Sequence, residues 1–313
     1  MITFRTVHAP QQPDVIDTVL ALLTEVFGPE EGELERLQLS GQEAQDNEDT
    51  LFTAWEDGAL LSTLHLTVSR AHPGFGCLGG MITTPAARGK GLAYQLFEQV
   101  CRYYDDLGGG ALFLGTNNPV AAHLYTKHGF SFITGTNIMV RTTTGSLLNF
   151  YKQVYTPDTW TYAHVGAFCR VPIVPLVAAR GRDLLMDANV GILSSDFVTQ
   201  ISCCGLYPRY LQLTAGGGDA WCATLPSGAI CAICTVRDQT DGSSIDAFAY
   251  PGFENALPQL LAMGFEGRTR LYAHIADCDQ AKQALFSDLG FTPAGACKYD
   301  YRGLQIPCTE FVR

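Results

Sequence analysis

Long apolar runs are missing from this chain of 313 residues: none approaches the ~20 residues that a membrane-spanning helix needs. The best stretch, Val171 to Ala179, is short and holds Pro172 and Pro175. The first residues lack a basic segment followed by an apolar one, so no secretory leader and no membrane partner are expected. Charge is scarce at 16% of residues, and basic charge is scarcer still, with 20 Lys and Arg against 31 Asp and Glu and a net charge of −11. Nucleic-acid binders show a basic footprint, so no nucleic-acid partner is expected. A disulfide framework is missing too. Eleven cysteines, an odd number without framework spacing, fit reduced thiols and a cytoplasmic protein. Cys231-Ala-Ile-Cys234 has the spacing of a redox motif, but it sits inside an apolar run with no second pair to complete a zinc site, so buried strand cysteines and no metal are expected. What the chain has is apolar material, 47% of its residues, enough for two cores.

From Ile2 to Val140 the chain alternates between strand and helix periods. Ile2 to Val7 reads as a strand, and Val15 to Phe27 as an amphipathic helix stopped by Gly28-Pro29. Leu51 to Trp55 and Leu60 to Val68 flank Glu56-Asp57-Gly58, a hairpin signal. Met81 to Thr84 reads as a strand ended by Pro85, Gly91 to Tyr104 as a helix, and Ala111 to Gly115 as a buried strand. Pro119 to Lys127 reads as a helix and Phe130 to Val140 as a strand. A meander followed by a β-α-β-α-β run makes a mixed α/β domain. The order then repeats. Sliding the chain along itself until Gly129-Phe130 falls on Gly290-Phe291 also places Leu124 on Leu285 and Tyr125 on Phe286. The expected division is residues 1–145, a linker over 146–160, and a second domain over 161–313.

Two segments of the first half carry chemistry. In Arg88-Gly-Lys-Gly-Leu-Ala93, between a strand and a helix, Gly89 and Gly91 permit a tight turn and a close backbone approach. Successive N–H groups at a helix N-terminus then face outward and favour an anion, with Arg88 and Lys90 adding positive charge. This describes a pyrophosphate cradle without Walker spacing, since Leu92 stands where a metal-binding hydroxyl would be needed. Gly74, Gly76 and Gly79 form a literal G-x-G-x-x-G, but a strand-like run and Pro85 follow instead of a helix, so they read as a turn and a strand bulge. The second segment runs from Asn118 through Ala121, Leu124 and Tyr125 to Gly129-Phe130.

Together these segments resemble the GNAT superfamily of N-acetyltransferases. Arg88 to Ala93 matches that family's (Q/R)-x-x-G-x-(G/A) coenzyme A loop, and the second segment matches N-x-x-A-x-x-L-Y-x-x-x-G-F at every position. The resemblance covers residues 1–141 well and 160–313 in outline. It implies two tandem GNAT-like domains, each a mixed, mostly antiparallel sheet flanked by helices, the second copy degenerate. It also implies acetyl-CoA or another acyl-CoA as co-substrate. Arg88, Gly89, Lys90, Gly91, Leu92 and Ala93 would hold the pyrophosphate. Met81, Ile82 and Thr83 would pair their backbone with the pantetheine arm. Asn118 would hydrogen-bond that arm, and Tyr125 would be the general acid for the departing thiolate.

The base is less defined. Many family members place a glutamate on the strand before the coenzyme loop, whereas Leu78 to Thr84 here holds no carboxylate. Candidates are His65, on the same strand face as Thr63 and Thr67, Glu56 on the hairpin, and Glu30 or Glu31 after the first helix. Proton removal through water is the alternative. Eleven acids lie between Glu25 and Asp57 against one base, Arg36. A solvated helical face explains such a run. Within the resemblance it points instead to a cationic acceptor: a small amine, amino sugar or peptide amine. In the second half, Ala249 to Ala256 stands at the loop position without Arg-x-x-Gly, and its Glu254 is expected to repel an anion. Asp279 and Phe286 replace Asn118 and Tyr125. The expected protein is thus an N-acetyltransferase, monomeric or homodimeric. Acyl transfer to a carrier-protein thiol, malonyl-CoA decarboxylation and a non-catalytic coenzyme A-binding scaffold are the alternatives.

Overall fold

The computed structural model describes residues 1–179, 184–194, 203 and 205–313; the side chains of Glu30 and Glu31 lie outside the described set. The chain divides into two units. One is made of Met1–Ile133 and Asn137–Lys152 together with Cys203; the other is made of Thr134–Thr136 and the described residues from Gln153 onward, Cys203 excepted.

The first unit contains β1 (Ile2–His8), α1 (Pro13–Phe27), α2 (Pro29–Leu39), β2 (Asn47–Glu56), β3 (Ala59–Ser69), β4 (Phe75–Thr83), α3 (Leu92–Asp106), β5 (Ala111–Gly115), α4 (Pro119–Lys127), β6 (Ser131–Phe132), β7 (Ile138–Thr142) and α5 (Leu147–Val154). Its seven strands form one sheet in the order β1-β2-β3-β4-β5-β7-β6. All neighbours are antiparallel except β4 and β5, where α3 makes the crossover that a parallel pair requires. The β2–β3 turn follows from Asp57 and Gly58, both at positive φ (50° and 82°), as a tight hairpin demands. α1 buries Ile16, Val19, Leu20 and Leu23 as one stripe against Leu51 and Ile82. α3 buries Leu96, Phe97, Val100 and Tyr104 on the opposite face, with Leu64, Leu66 and Leu112 of the sheet.

Of the glycines that imitate a dinucleotide fingerprint, Gly76 is a packing residue. A Cβ on Gly76 would stand 2.6 Å from the Tyr104 ring. The Tyr104 hydroxyl lies within hydrogen-bond distance of the carbonyls of Ala111 (2.8 Å) and Gly74 (3.0 Å), so Gly76 makes room for a buried, anchored ring. One expected element needs correction. The run from Phe130 to Val140 is two strands joined by a turn, because Thr134-Gly-Thr-Asn137 is turn chemistry and Gly135 takes φ 80°.

The second unit contains β8 (Thr161–His164), α6 (Ile173–Ala178), β9 (Leu185–Asp187), β10 (Ile192–Ser194), α7 (Tyr207–Ala215), β11 (Asp219–Thr224), β12 (Ile230–Gln239), β13 (Gly242–Ala249), α8 (Leu257–Phe265), β14 (Leu271–Ala276), α9 (Gln280–Asp288), β15 (Thr292–Tyr301) and β16 (Leu304–Val312). Its large sheet runs β15-β16-β14-β13-β12-β11-β8, which is the order of the first sheet read from the other edge. The one parallel step, β13–β14, falls at the equivalent place. The offset that sets Gly290 on Gly129 also sets both ends of α9 on both ends of α4. Gly129 and Gly290 share a left-handed backbone, φ 85° and 87°. Two tandem domains of one mixed α/β architecture are therefore present. Cys231 and Cys234 are fully buried on β12, and none of the ten described cysteines is in a disulfide. No described helix is long and apolar enough to cross a membrane.

Candidate active site

In the first unit β4 and β5 pair only from Phe75–Ala111 to Cys77–Phe113. Beyond Cys77, β4 stays with β3, pairing Thr63 with Ile82 and Ser62 with Thr83 across a register shift. The two parallel strands diverge there, and among the described residues the β5-facing edge of Gly79–Thr83 has no strand partner. Gly80 sits at the irregularity with φ 58°, and its carbonyl accepts a hydrogen bond from Thr63 Oγ1 at 2.6 Å. A side chain there would have to fit beside Leu23 and His65, each within 3.5 Å of the Cβ position. The divergence opens a cleft of ≈ 800 Å³.

Of the coenzyme-type residues, Met81, Ile82, Thr83, Arg88 and Asn118 line this cleft. Gly91 is the N-cap of α3 in the left-handed region (φ 74°), with no side chain capping the helix. Gly89 also has positive φ (79°), and a Cβ on it would meet nothing within 4 Å. The first N–H groups of α3 therefore lie open to an anion at a glycine turn, as a pyrophosphate requires. Arg88 is exposed and lines the cleft, its Nε donating to the Thr83 carbonyl at 3.3 Å. Lys90 is exposed, 3.7 Å from Glu56. Leu92 is buried with Ala54 and Ala87, so its side chain anchors the turn while its backbone opens the helix; Ala93 follows in the first turn. Met81, Ile82 and Thr83 all line the cleft, with the Ile82 side chain buried in the α1 core. Asn118 caps α4, its Oδ1 accepting from the N–H groups of Val120 (2.9 Å) and Ala121 (3.3 Å). That leaves its side-chain NH₂ as the group able to donate to a ligand.

Tyr125 stands on α4 in the wall of the cleft, 7% exposed, its ring 4.7 Å from that of Phe97. The hydroxyl makes no hydrogen bond to the described residues. Burial pushes the phenol up to about 12, so it stays protonated across the neutral range.

His65, a candidate base, lies on β3 buried between Asp49 Oδ1, 2.9 Å from Nε2, and Glu35 Oε1, 2.9 Å from Nδ1, and it is not among the residues that line the cleft. Thr67 shares the same Asp49 oxygen at 2.8 Å. Burial alone would lower its pKa, but Glu35 and Asp49 outweigh it and raise the ring to about 10. An imidazolium with both nitrogens engaged has no lone pair for an incoming proton. Glu30 and Glu31 begin α2, and as base candidates their side chains lie outside the described set. Among the described residues no carboxylate lines the cleft. Residues missed by sequence reasoning are Val26 and Phe27, which continue the apolar stripe of α1 past Leu23 into the cleft wall, and Phe97 behind Tyr125.

Residues 16–130, a little over a third of the chain, match the model of the acetyltransferase (GNAT) family. The N-terminal unit is a GNAT domain. Acyl transfer from coenzyme A is the chemistry of that family. No curated protein matches the chain. Among solved structures, an acyl-CoA N-acyltransferase from Pseudomonas aeruginosa is 28% identical, with 45% of this chain and 99% of that chain covered and a TM-score of 0.38. A GNAT superfamily phosphinothricin acetyltransferase from Sinorhizobium meliloti, in complex with AcCoA, is 18% identical over 50% of this chain and 88% of that chain, TM-score 0.38. A GCN5-related N-acetyltransferase from Kribbella flavida is 12% identical and covers 99% of this chain and 72% of its own, TM-score 0.41.

Set beside the GNAT domain, the second unit has filled its own counterpart. The Gly252 N–H donates to Glu254 Oε2 at 2.9 Å, so a carboxylate of the chain occupies the loop that should receive an anion. Tyr250 stacks on Tyr155 with ring centroids 3.7 Å apart. β13 and β14 pair only through Ser243 and Ser244. Just beyond, Asp246 is buried and hydrogen-bonded to Lys282 and, at 2.8 Å, to the Ala188 N–H. Phe286, at the position of Tyr125, is fully buried against Phe291 and has no proton to donate.

Proposed function

We propose that the GNAT domain transfers an acetyl or other short acyl group from coenzyme A to an amine by direct attack. The observation that carries this reading is Tyr125: a buried phenol, free of hydrogen bonds to described residues, in a cleft lined also by Arg88, the residue that opens the glycine turn before α3. Acyl-CoA supplies a thioester at the level of activation that an amine can attack. The Arg88–Ala93 turn would hold the pyrophosphate, and the unpaired edge of Met81–Thr83 would hold the amide-bearing arm, aiming the thioester toward Tyr125. As the amine nitrogen bonds to the carbonyl carbon, the C–S bond breaks and its electron pair leaves on sulfur. Tyr125 would donate a hydrogen bond to that sulfur. Full proton transfer from a phenol at about 12 to a thiolate of ordinary basicity, reference pKa ~8.5, is uphill, so its main effect is stabilisation of the developing charge.

The proton lost by the amine has no described protein base waiting for it. The amine therefore attacks from its neutral form and, once bonded to carbon, releases one N–H proton to water, which in turn supplies the proton that the departing thiolate takes up. Thiol release from acetyl-CoA with a panel of amines, the product identified by mass, tests the reading. Acetylated amine is the expected product. Thiol release by a carrier-protein thiol alone, or carbon dioxide from malonyl-CoA alone, contradicts it.

A further inference from the structure

The acceptor has to enter where the acyl-CoA does not lie. Arg88 and the α4 residues Val120, Ala121 and Tyr125 line the cleft, and so do Val26, Phe27, Leu64, Leu78, Gly79 and Gly80. Val26 and Phe27 end α1 and stand 52% and 50% exposed, held there by the turn at Gly28, φ 95°. Apolar residues so placed have no core to serve. Of the described acids of the Glu25–Asp57 run, Glu35 and Asp49 face His65, Glu48 faces Tyr103 and Arg70, and Glu56 faces Lys90, and none is among the residues that line the cleft. A second cation placed in this cleft would give up water with no described carboxylate among the lining residues to receive it, a costly exchange.

Resting on the reading of the GNAT domain as an amine acetyltransferase, we infer that its acceptor is a primary amine on an apolar chain or ring, an alkyl- or arylalkylamine, and that Phe27 reads that group. The acceptor is thereby distinguished from the polyvalent cation or amino sugar that charge along the sequence suggests. Each methylene moved from water onto this wall is worth about fourfold in kcat/KM until the wall is covered.

The test uses the full chain, acetyl-CoA and thiol release, with rates expressed per neutral amine for ethylamine, butylamine, hexylamine, 2-phenylethylamine, putrescine and glucosamine. We expect kcat/KM to rise at least tenfold from ethylamine to hexylamine, with putrescine below butylamine and glucosamine lowest. Phe27→Ala is expected to shrink the hexylamine-to-ethylamine ratio about tenfold, and Phe27→Leu to restore most of it. Because Phe27 is half exposed, neither change removes a core side chain. A flat series, a preference for putrescine or glucosamine, or an unchanged ratio in Phe27→Ala overturns the inference. So does a charge-dependent loss in Glu30→Gln/Glu31→Gln that exceeds every effect at Phe27. Transfer to polar amines alone removes this inference and leaves acetyl transfer standing. Binding of acetyl-CoA with no amine acetylated removes both.

Discussion

Replacing His65 with glutamine should destabilise the GNAT domain by an amount that depends on pH. In the wild type the imidazolium lies between two buried carboxylates, 2.9 Å from each, and the Glu35–His65–Asp49 chain ties α2 through β3 to β2. Without the ring's charge, Glu35 and Asp49 face each other as buried, uncompensated anions. Removing one partner of a buried ion pair costs about 3–5 kcal/mol. In a unit of this size that lowers the melting temperature by about 6–20 °C. The pH dependence has a definite sign. The folded-state pKa, about 10, lies above the unfolded value of 6.5, so the stabilisation is complete below 6.5 and is lost as pH rises through 10. Across that interval the wild-type unfolding free energy should fall with a slope approaching ~1.4 kcal/mol per pH unit. The slope from this group should be absent in His65→Gln. Trp55 is the only tryptophan of the first unit, so guanidinium unfolding followed by its fluorescence in a Trp160→Phe/Trp221→Phe background isolates the relevant transition. Adding Glu35→Gln to His65→Gln should recover about 1–2 kcal/mol by removing one orphaned charge. A His65→Gln protein within about 1 kcal/mol of its parent at pH 7, with the parent's pH slope, would refute the argument.

Two further outcomes follow. With no described carboxylate in the cleft and His65 held as a cation, log kcat/KM should climb with unit slope up to the pKa of the amine used; the break should move when the amine is exchanged for a less basic one, and a break fixed by the protein contradicts a water-borne proton. In the second unit, burial and the neighbouring Asp246 raise Asp187 to about 7, so its ionisation costs stability between pH 3.8 and 7. Asp187→Asn should flatten that loss, read by the fluorescence of Trp221 on β11, and an unchanged profile counts against the buried charge.

What sequence can show is local. The limits of β5 and α4 are short-range patterns and are present in the structure, and the internal repeat is a succession of such patterns. The break between β6 and β7 escapes notice because two strands joined by a tight turn keep nearly the periodicity of one. The pairing of His65 escapes notice because its two partners, Glu35 and Asp49, come from α2 and β2. Alternation along a strand says which face a side chain takes but not what covers it. The acidic run suffers the same fate: its charge is visible in sequence, but its pairing with His65, Arg70 and Lys90 is a tertiary matter. Glu254, expected to repel an anion, takes the anion's place on the Gly252 N–H. Val26 and Phe27 stay hidden because a helix stripe looks the same whether its last turn meets a core or a cleft.

The central claim is that Tyr125 assists departure of the thiol. Single-turnover thiol release by Tyr125→Phe, beside calorimetric binding of acetyl-CoA, tests it most directly. The account predicts a loss of about 10²-fold or more in the rate of acyl transfer with coenzyme affinity within threefold of the parent. An unchanged rate, or a loss explained wholly by weaker acetyl-CoA binding, contradicts it.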